Sequence, residues 1–156
     1  MAFEIVDWSI GTGTVALSPL PTAKHEFDAL RAWLPDVIVS LTLDEETGAS
    51  LGVLQRGDWE WHHNEITDFG TPDAAFDAVW PDMSARLLMR LQAGGRVLVH
   101  CRGGCGRSGM VVLALMVAAG QDFDKALKRL RARRPCAVET DAQLAWAKGL
   151  SLQKHS

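Results

Sequence analysis

The residues best equipped for chemistry sit in one short run, His100-Cys101-Arg102-Gly103-Gly104-Cys105-Gly106-Arg107-Ser108-Gly109. A cysteine is followed by closely spaced glycines, and an arginine stands six residues after it. Glycines at that spacing let the backbone curl until successive amide N–H groups face one concavity. A helix starting there aims the positive end of its dipole at the same point. Such a concavity is a place for an anion. A sulfur in the same field is favoured as the thiolate, the nucleophilic form. Arg107 offers a planar fork of N–H donors matched to two phosphoryl oxygens, a geometry that lysine lacks. Ser108 can donate its hydroxyl to the departing sulfur, and His100 can brace the loop through its ring nitrogens. Arg102, Gly103, Gly104, Cys105, Gly106 and Arg107 form the expected phosphate-binding set.

A phosphate ester leaves poorly as an alkoxide or phenoxide, so this chemistry also needs a carboxylic acid to protonate the leaving oxygen. Two aspartates compete. Asp68, in Thr67-Asp68-Phe69-Gly70-Thr71-Pro72, precedes Cys101 by enough chain for a helix of about fifteen residues and a strand of about five. Asp82, in Trp80-Pro81-Asp82, falls inside or just after a helix that Pro81 kinks or splits. Spacing selects Asp68 and leaves Asp82 a coincidence.

His100-Cys101-x5-Arg107-Ser108 resembles the signature of the protein tyrosine and dual-specificity phosphatase superfamily, and the stretch around Asp68 resembles its mobile acid loop. The resemblance runs from about the Val37 strand to Gln143. It implies a compact dual-specificity-phosphatase-like α/β fold, a cysteinyl-phosphate intermediate, and neither metal nor cofactor. The segment Arg134-Pro135-Cys136-Ala137-Val138-Glu139-Thr140-Asp141-Ala142-Gln143 resembles the part that orients the hydrolytic water. Gln143 is the residue for that role, while Glu139 stands where many tyrosine phosphatases carry glutamine. The implied partner is a phosphorylated protein, esterified on tyrosine, on serine or threonine, or on both. Two alternatives keep the same motif: a phosphoinositide or nucleotide phosphatase, which the extra charge of Arg102 would suit, and a pseudophosphatase that binds phosphate without turnover.

The elements that must position these groups follow from hydrophobic patterning. Short strands are expected at Phe3 to Ile10 and Val15 to Leu17, buried strands at Val37 to Leu41 and Arg96 to His100, and an alternating strand at Trp59 to Ile66. Helices are expected at His25 to Leu34, Asp73 to Ala93, Ser108 to Ala119, from Phe123 to Pro135, and at Asp141 to Leu152. Acidic Asp44-Glu45-Glu46 reads as a loop or short helix. Strands alternating with helices imply a central, mostly parallel sheet flanked by helices, in one phosphatase domain over residues 1–156.

With 156 residues, 47% of them hydrophobic, the chain has enough apolar material for a core without staples. A net charge of −3 speaks against nucleic acid as partner, and the basic run Lys125 to Arg134 reads as a solvated helix face. Three cysteines leave one thiol over, so reduced thiols and a cytoplasmic location are expected, with no secretory leader and no membrane span. Cys105 and Cys136 are candidates to capture an oxidised Cys101 as a disulfide. His63 and Glu65 share a strand face and could ligate metal, but the sequence offers no evident third ligand, so no metal is expected.

Overall fold

Side chains along a strand alternate between its two faces, and the central strand of this protein buries both. In the computed structural model, which describes residues 2–154, that strand is Arg96–His100. Its Val97 and Val99 join one apolar cluster and Leu98 another, all three fully buried. Numbered in chain order, the elements are β1 Val6–Ile10, β2 Gly13–Ser18, α1 Lys24–Trp33, β3 Val37–Ser40, α2 Asp44–Thr47, α3 Ser50–Arg56, β4 Glu60–His63, α4 Ala74–Gln92, β5 Arg96–His100, α5 Gly106–Ala118, α6 Phe123–Arg133 and α7 Asp141–Lys154. The strands form one sheet in the order β1-β2-β5-β3-β4. Only the β1–β2 pair is antiparallel; β2–β5, β5–β3 and β3–β4 are parallel.

One face of the sheet packs on α4, α5, α6 and α7. Val15 and Leu17 of β2, Val37 and Val39 of β3, and Val97 and Val99 of β5 all point to that side. The alternate residues Ala16, Ile38 and Leu98 meet Phe27 and Leu30 of α1 and Leu54 of α3 on the other. Every residue of α5 from Gly106 to Val117 is buried; its apolar run from Met110 onward accounts for most of this, while Arg107 and Ser108 are buried polar groups in its first turn. This is the compact α/β architecture expected, with a mixed, mostly parallel sheet between helical layers. No helix among the described residues is long and apolar enough to cross a membrane.

Local signals set the helix ends. Asp73 accepts a hydrogen bond from Phe76 N (2.9 Å) at the start of α4, and Asp122 accepts one from Lys125 N (3.1 Å) at the start of α6. Leu34, in left-handed backbone (φ 60°), closes α1 directly before Pro35. Pro81 does not split α4, which runs unbroken from Ala74 to Gln92. The acidic stretch is the short helix α2. The following helix α3 has no counterpart in the sequence reading: Gly52 lies within it, Gly48 and Gly57 flank it, and its few apolar residues declare no period.

Because β2, β3, β4 and β5 share one direction, their C-terminal ends lie along one edge of the sheet, where open α/β proteins place their sites. The loop after β5 leaves from the middle of that edge. Leu98→Ala removes a side chain buried between the sheet and α1, and should cost about 2–5 kcal/mol of stability. Urea unfolding with an unchanged slope and a lower midpoint is the expected result; an unmoved midpoint would contradict this packing.

Candidate active site

The turn after β5 is a strand-loop-helix in which Cys101 ends the strand side and Cys105 caps α5. Gly104 has φ +67°, and a Cβ there would come within 2.6 Å of Pro19 N, so the loop can lie against the end of β2 only as glycine. Carbonyl groups of the loop are drawn outward. Arg134 donates from Nε to Gly104 O (2.9 Å) and from Nη2 to Gly103 O (3.1 Å), and Val138 N donates to Cys105 O (3.2 Å). Carbonyls turned away from the concavity leave its lining to N–H groups, at the N-terminus of a 13-residue helix.

Cys101 is 3% exposed, and its Sγ lies 3.2 Å from Ser108 Oγ, within hydrogen-bond reach. His100 is wholly buried, and burial pushes its pKa down to about 4, so the ring is neutral. Its Nδ1 faces Cys101 O (3.3 Å), which makes Nδ1 the protonated nitrogen and Nε2 the acceptor of the Ser40 hydroxyl. The Trp61 indole donates to the same Ser40 oxygen (2.9 Å). A chain of hydrogen bonds thus runs from β4 through β3 to the backbone carbonyl beside the cysteine.

Arg107 reaches from α5 across the loop, and only 1% of its side chain is exposed. Nη1 donates to Glu46 Oε1 (2.8 Å) and to Ile66 O (2.9 Å), and Nη2 donates to Glu46 Oε2 (2.9 Å). Asp68 Oδ1 stands 3.3 Å from Nη2. Nε is buried with no hydrogen-bond partner among the described residues. Burial works against the guanidinium charge, but Glu46, Cys101 and Asp68 outweigh it and raise the arginine pKa. In return the Arg107 hydrogen bonds, helped by the Leu43 N–H and opposed by burial, hold the Glu46 carboxyl below the usual glutamate range.

The sequence readings of Cys101, Arg107, Ser108, His100 and Asp68 therefore fall on side chains that the fold brings together. Arg102 is exposed at the loop, and its carbonyl accepts from Leu20 N (3.1 Å). Asp82 lies exposed within α4. Gln143 is buried, with Oε1 accepting from Glu139 N (2.9 Å) and Thr140 N (3.3 Å), and Nε2 donating to Gly70 O (3.1 Å). Its amide joins the start of α7 to the acid loop. Glu139 lies against the loop: a Cβ on Gly106 would fall 2.1 Å from Glu139 Oε1. Glu46 and the Ser40–Trp61 pair were not identified from sequence. Three consecutive acids gave no ground for preferring Glu46, although a buried arginine demands one acid somewhere.

Two expectations are corrected. Cys105 and Cys136 are disulfide-bonded to each other (Cα–Cα 5.2 Å), not reduced, and Cys101 is the free cysteine. A loop whose amides face inward sends its side chains outward, and there Cys105 meets the segment after α6. Second, His63 and Glu65 do have a third potential ligand neighbour in Asp44. These groups are engaged with one another and with backbone: His63 Nε2 with Thr42 O (2.7 Å), His63 Nδ1 with Asp44 Oδ1 (3.5 Å), and Asp44 N with Glu65 Oε2 (3.0 Å).

Residues 75–148 match the family model of the dual specificity phosphatase catalytic domain. The solved structure of Tk-PTP in its active form shares 35% identity, covering 89% of this chain and 92% of that one, with a TM-score of 0.76. A mutant form of Tk-PTP gives 32%, 99% of this chain, 97% of that one and 0.79. Kinase associated phosphatase, at 21% identity, covers 100% of this chain and 98% of that one with a TM-score of 0.81, a likeness of fold. Among curated proteins, 77 residues are 35% identical to the intestinal sucrase-isomaltase of Rattus norvegicus, over 44% of this chain and 4% of that protein. The chain spans so little of that relative that the likeness carries no argument about activity.

The Glu46–Arg107 pair generates a pH prediction. Glu46 titrates lower folded than unfolded, so the pair stabilises the fold above the usual glutamate range, and that contribution is lost as pH falls through the lowered folded value. Glu46→Gln removes this acid-side loss and, by leaving the buried Arg107 charge with only the half-exposed Asp68 as carboxylate partner, costs about 3 kcal/mol at pH 7. Urea unfolding of both proteins between neutral and acid pH is the measurement; parallel curves would contradict it.

Proposed function

This chain belongs to the cysteine-dependent tyrosine and dual-specificity phosphatase superfamily, and we propose that it hydrolyses phosphorylated proteins through a Cys101 phosphocysteine. That it is a cysteine-based phosphatase follows from the family; the substrate and the residue roles are this proposal. The observation that carries it is the Arg107 guanidinium. Glu46 and Ile66 engage Nη1 and Nη2, and the buried Nε has no protein acceptor beside the nucleophile. A phosphoryl oxygen is the acceptor this donor fits.

In the first step the Cys101 thiolate attacks phosphorus, and the P–O bond to the leaving group breaks as Asp68 gives that oxygen its proton. Arg107 and the loop amides hold the equatorial oxygens. In the second step the Asp68 carboxylate takes a proton from water, the water oxygen bonds to phosphorus, and the sulfur departs as thiolate with the Ser108 hydroxyl donating to it. Neutral His100 keeps the Cys101 carbonyl turned toward its Nδ1. Glu139, with Oε1 against Gly106, stands at the loop to steer the water, since the Gln143 amide is engaged with backbone.

Phe69 directly follows Asp68, has left-handed backbone (φ 59°), and is 61% exposed. A ring held outward beside the acid offers a stacking surface to an aromatic leaving group, which favours phosphotyrosine over alkyl esters. A phosphatase domain over residues 1–156 in the cytoplasm belongs to the same proposal.

Four substitutions test it. Cys101→Ser abolishes turnover while inorganic phosphate still binds, because the loop amides and Arg107 remain. Arg107→Lys is severely impaired. Asp68→Asn lowers kcat by roughly 10²–10⁴, whereas Asp82→Asn changes little. A panel of phosphotyrosine and phosphoserine peptides, phosphoinositides and nucleotides, ranked by kcat/KM, should place phosphotyrosine first. Near-normal turnover in Cys101→Ser would refute the nucleophile, and a phosphoinositide or nucleotide preference would replace the substrate reading.

A further inference from the structure

The Cys105–Cys136 bond lies on the outer side of the anion loop, and its two sulfurs sit in unlike surroundings. Cys136 is exposed; Cys105 is 7% exposed, caps the N-terminus of α5, and has the Arg134 guanidinium 3.8 Å from its sulfur. An incoming thiolate reaches the exposed sulfur of Cys136. The group it expels is the Cys105 thiolate, which the helix N-terminus and Arg134 both stabilise. A stabilised leaving thiolate makes a disulfide easier to open. We propose that this disulfide is a reducible gate on phosphate binding: opening it frees a Cys105 thiolate that competes with substrate for the positive end of α5. The proposal rests on the reading of this loop as a phosphate site.

The chemistry is a two-electron exchange with a dithiol. Its first thiolate bonds to the Cys136 sulfur as the Cys105–Cys136 bond breaks, and the electron pair leaves on Cys105. Its second thiol then displaces Cys136, which takes up the proton, and the dithiol ends as a disulfide. Of the charged groups at this end of α5, Arg102, Arg107 and Arg134 are positive, and Glu46, Asp68 and Glu139 negative. Arg107 is already committed to Glu46 and Asp68, so the new thiolate draws on Arg134, the group that holds the Gly103 and Gly104 carbonyls outward. Reduction therefore adds negative charge behind the anion loop and competes for the side chain that shapes it.

The test is calorimetric binding of inorganic phosphate to the full chain, before and after dithiothreitol, with free thiols counted by mass so that Cys101 is a thiol in both states. Reduced protein should bind phosphate about tenfold more weakly, and KM for 4-nitrophenyl phosphate should rise in step. Cys136→Ala should match the reduced protein with or without dithiol. Adding Cys105→Ala to it should recover affinity, since the thiolate is then gone, whereas a mere tether would predict no recovery. Equal phosphate affinity in oxidised and reduced protein, with turnover intact, overturns the gate alone. Absence of phosphate binding in every form overturns the reading of the site and the gate with it.

Discussion

A guanidinium ion is buried at the centre of this structure, and much of the surrounding architecture answers to it. Taking the Arg107 charge out of water is tolerable only with a counter-charge and with its N–H groups directed to acceptors. Glu46 supplies two carboxylate oxygens and Ile66 a carbonyl, from a short helix after β3 and from the chain leaving β4. Those partners hold α2 and the root of the acid loop against the loop after β5. The pair is better read as fixing geometry than as a source of net stability, since a buried ion pair recovers little more than its desolvation cost.

A second layer sets the orientation of the peptide groups. Arg134 and Val138 take loop carbonyls from outside, while Ser40, Trp61 and neutral His100 fix the carbonyl of Cys101 from the sheet. N–H groups alone are then left to line the concavity. The anion site is thus made by carbonyls being claimed elsewhere as much as by glycine freedom. Glycine is required at Gly104, where the backbone of Ser18 and Pro19 comes too close for a side chain.

The sequence was most informative where function is local. Cys101, Arg107 and Ser108 lie within eight residues, and the alternation of buried strands and helices was sufficient to identify the layered, mostly parallel sheet. Asp68 could be chosen over Asp82 because chain length between elements is itself a constraint. What could not be read was pairing across distance. Glu46 stands in a run of three acids, and nothing in that run distinguishes the one that meets Arg107. The Cys105–Cys136 bond depends on which way one loop residue faces, which an odd cysteine count does not indicate. Gln143 was singled out, but not that its amide would bridge α7 and Gly70. The helix α3 escaped because its few buried residues are selected by the sheet face above them rather than by a period of their own.

The loop that carries Asp68 is pinned at two closely spaced points: Ile66, whose carbonyl accepts from Arg107 and whose N–H donates to Leu41 O, and Gly70, whose carbonyl accepts from Gln143. Between them lie only Thr67, Asp68 and Phe69. A span so short cannot swing as a collective lid; it can only rotate about a few backbone torsions, a motion of the nanosecond-to-microsecond class. The carboxyl is consequently kept beside the Arg107 guanidinium, 3.3 Å from Nη2, by chain connectivity. If Asp68 is the proton donor proposed above, its delivery is a matter of local torsional fluctuation rather than of a slow closing equilibrium.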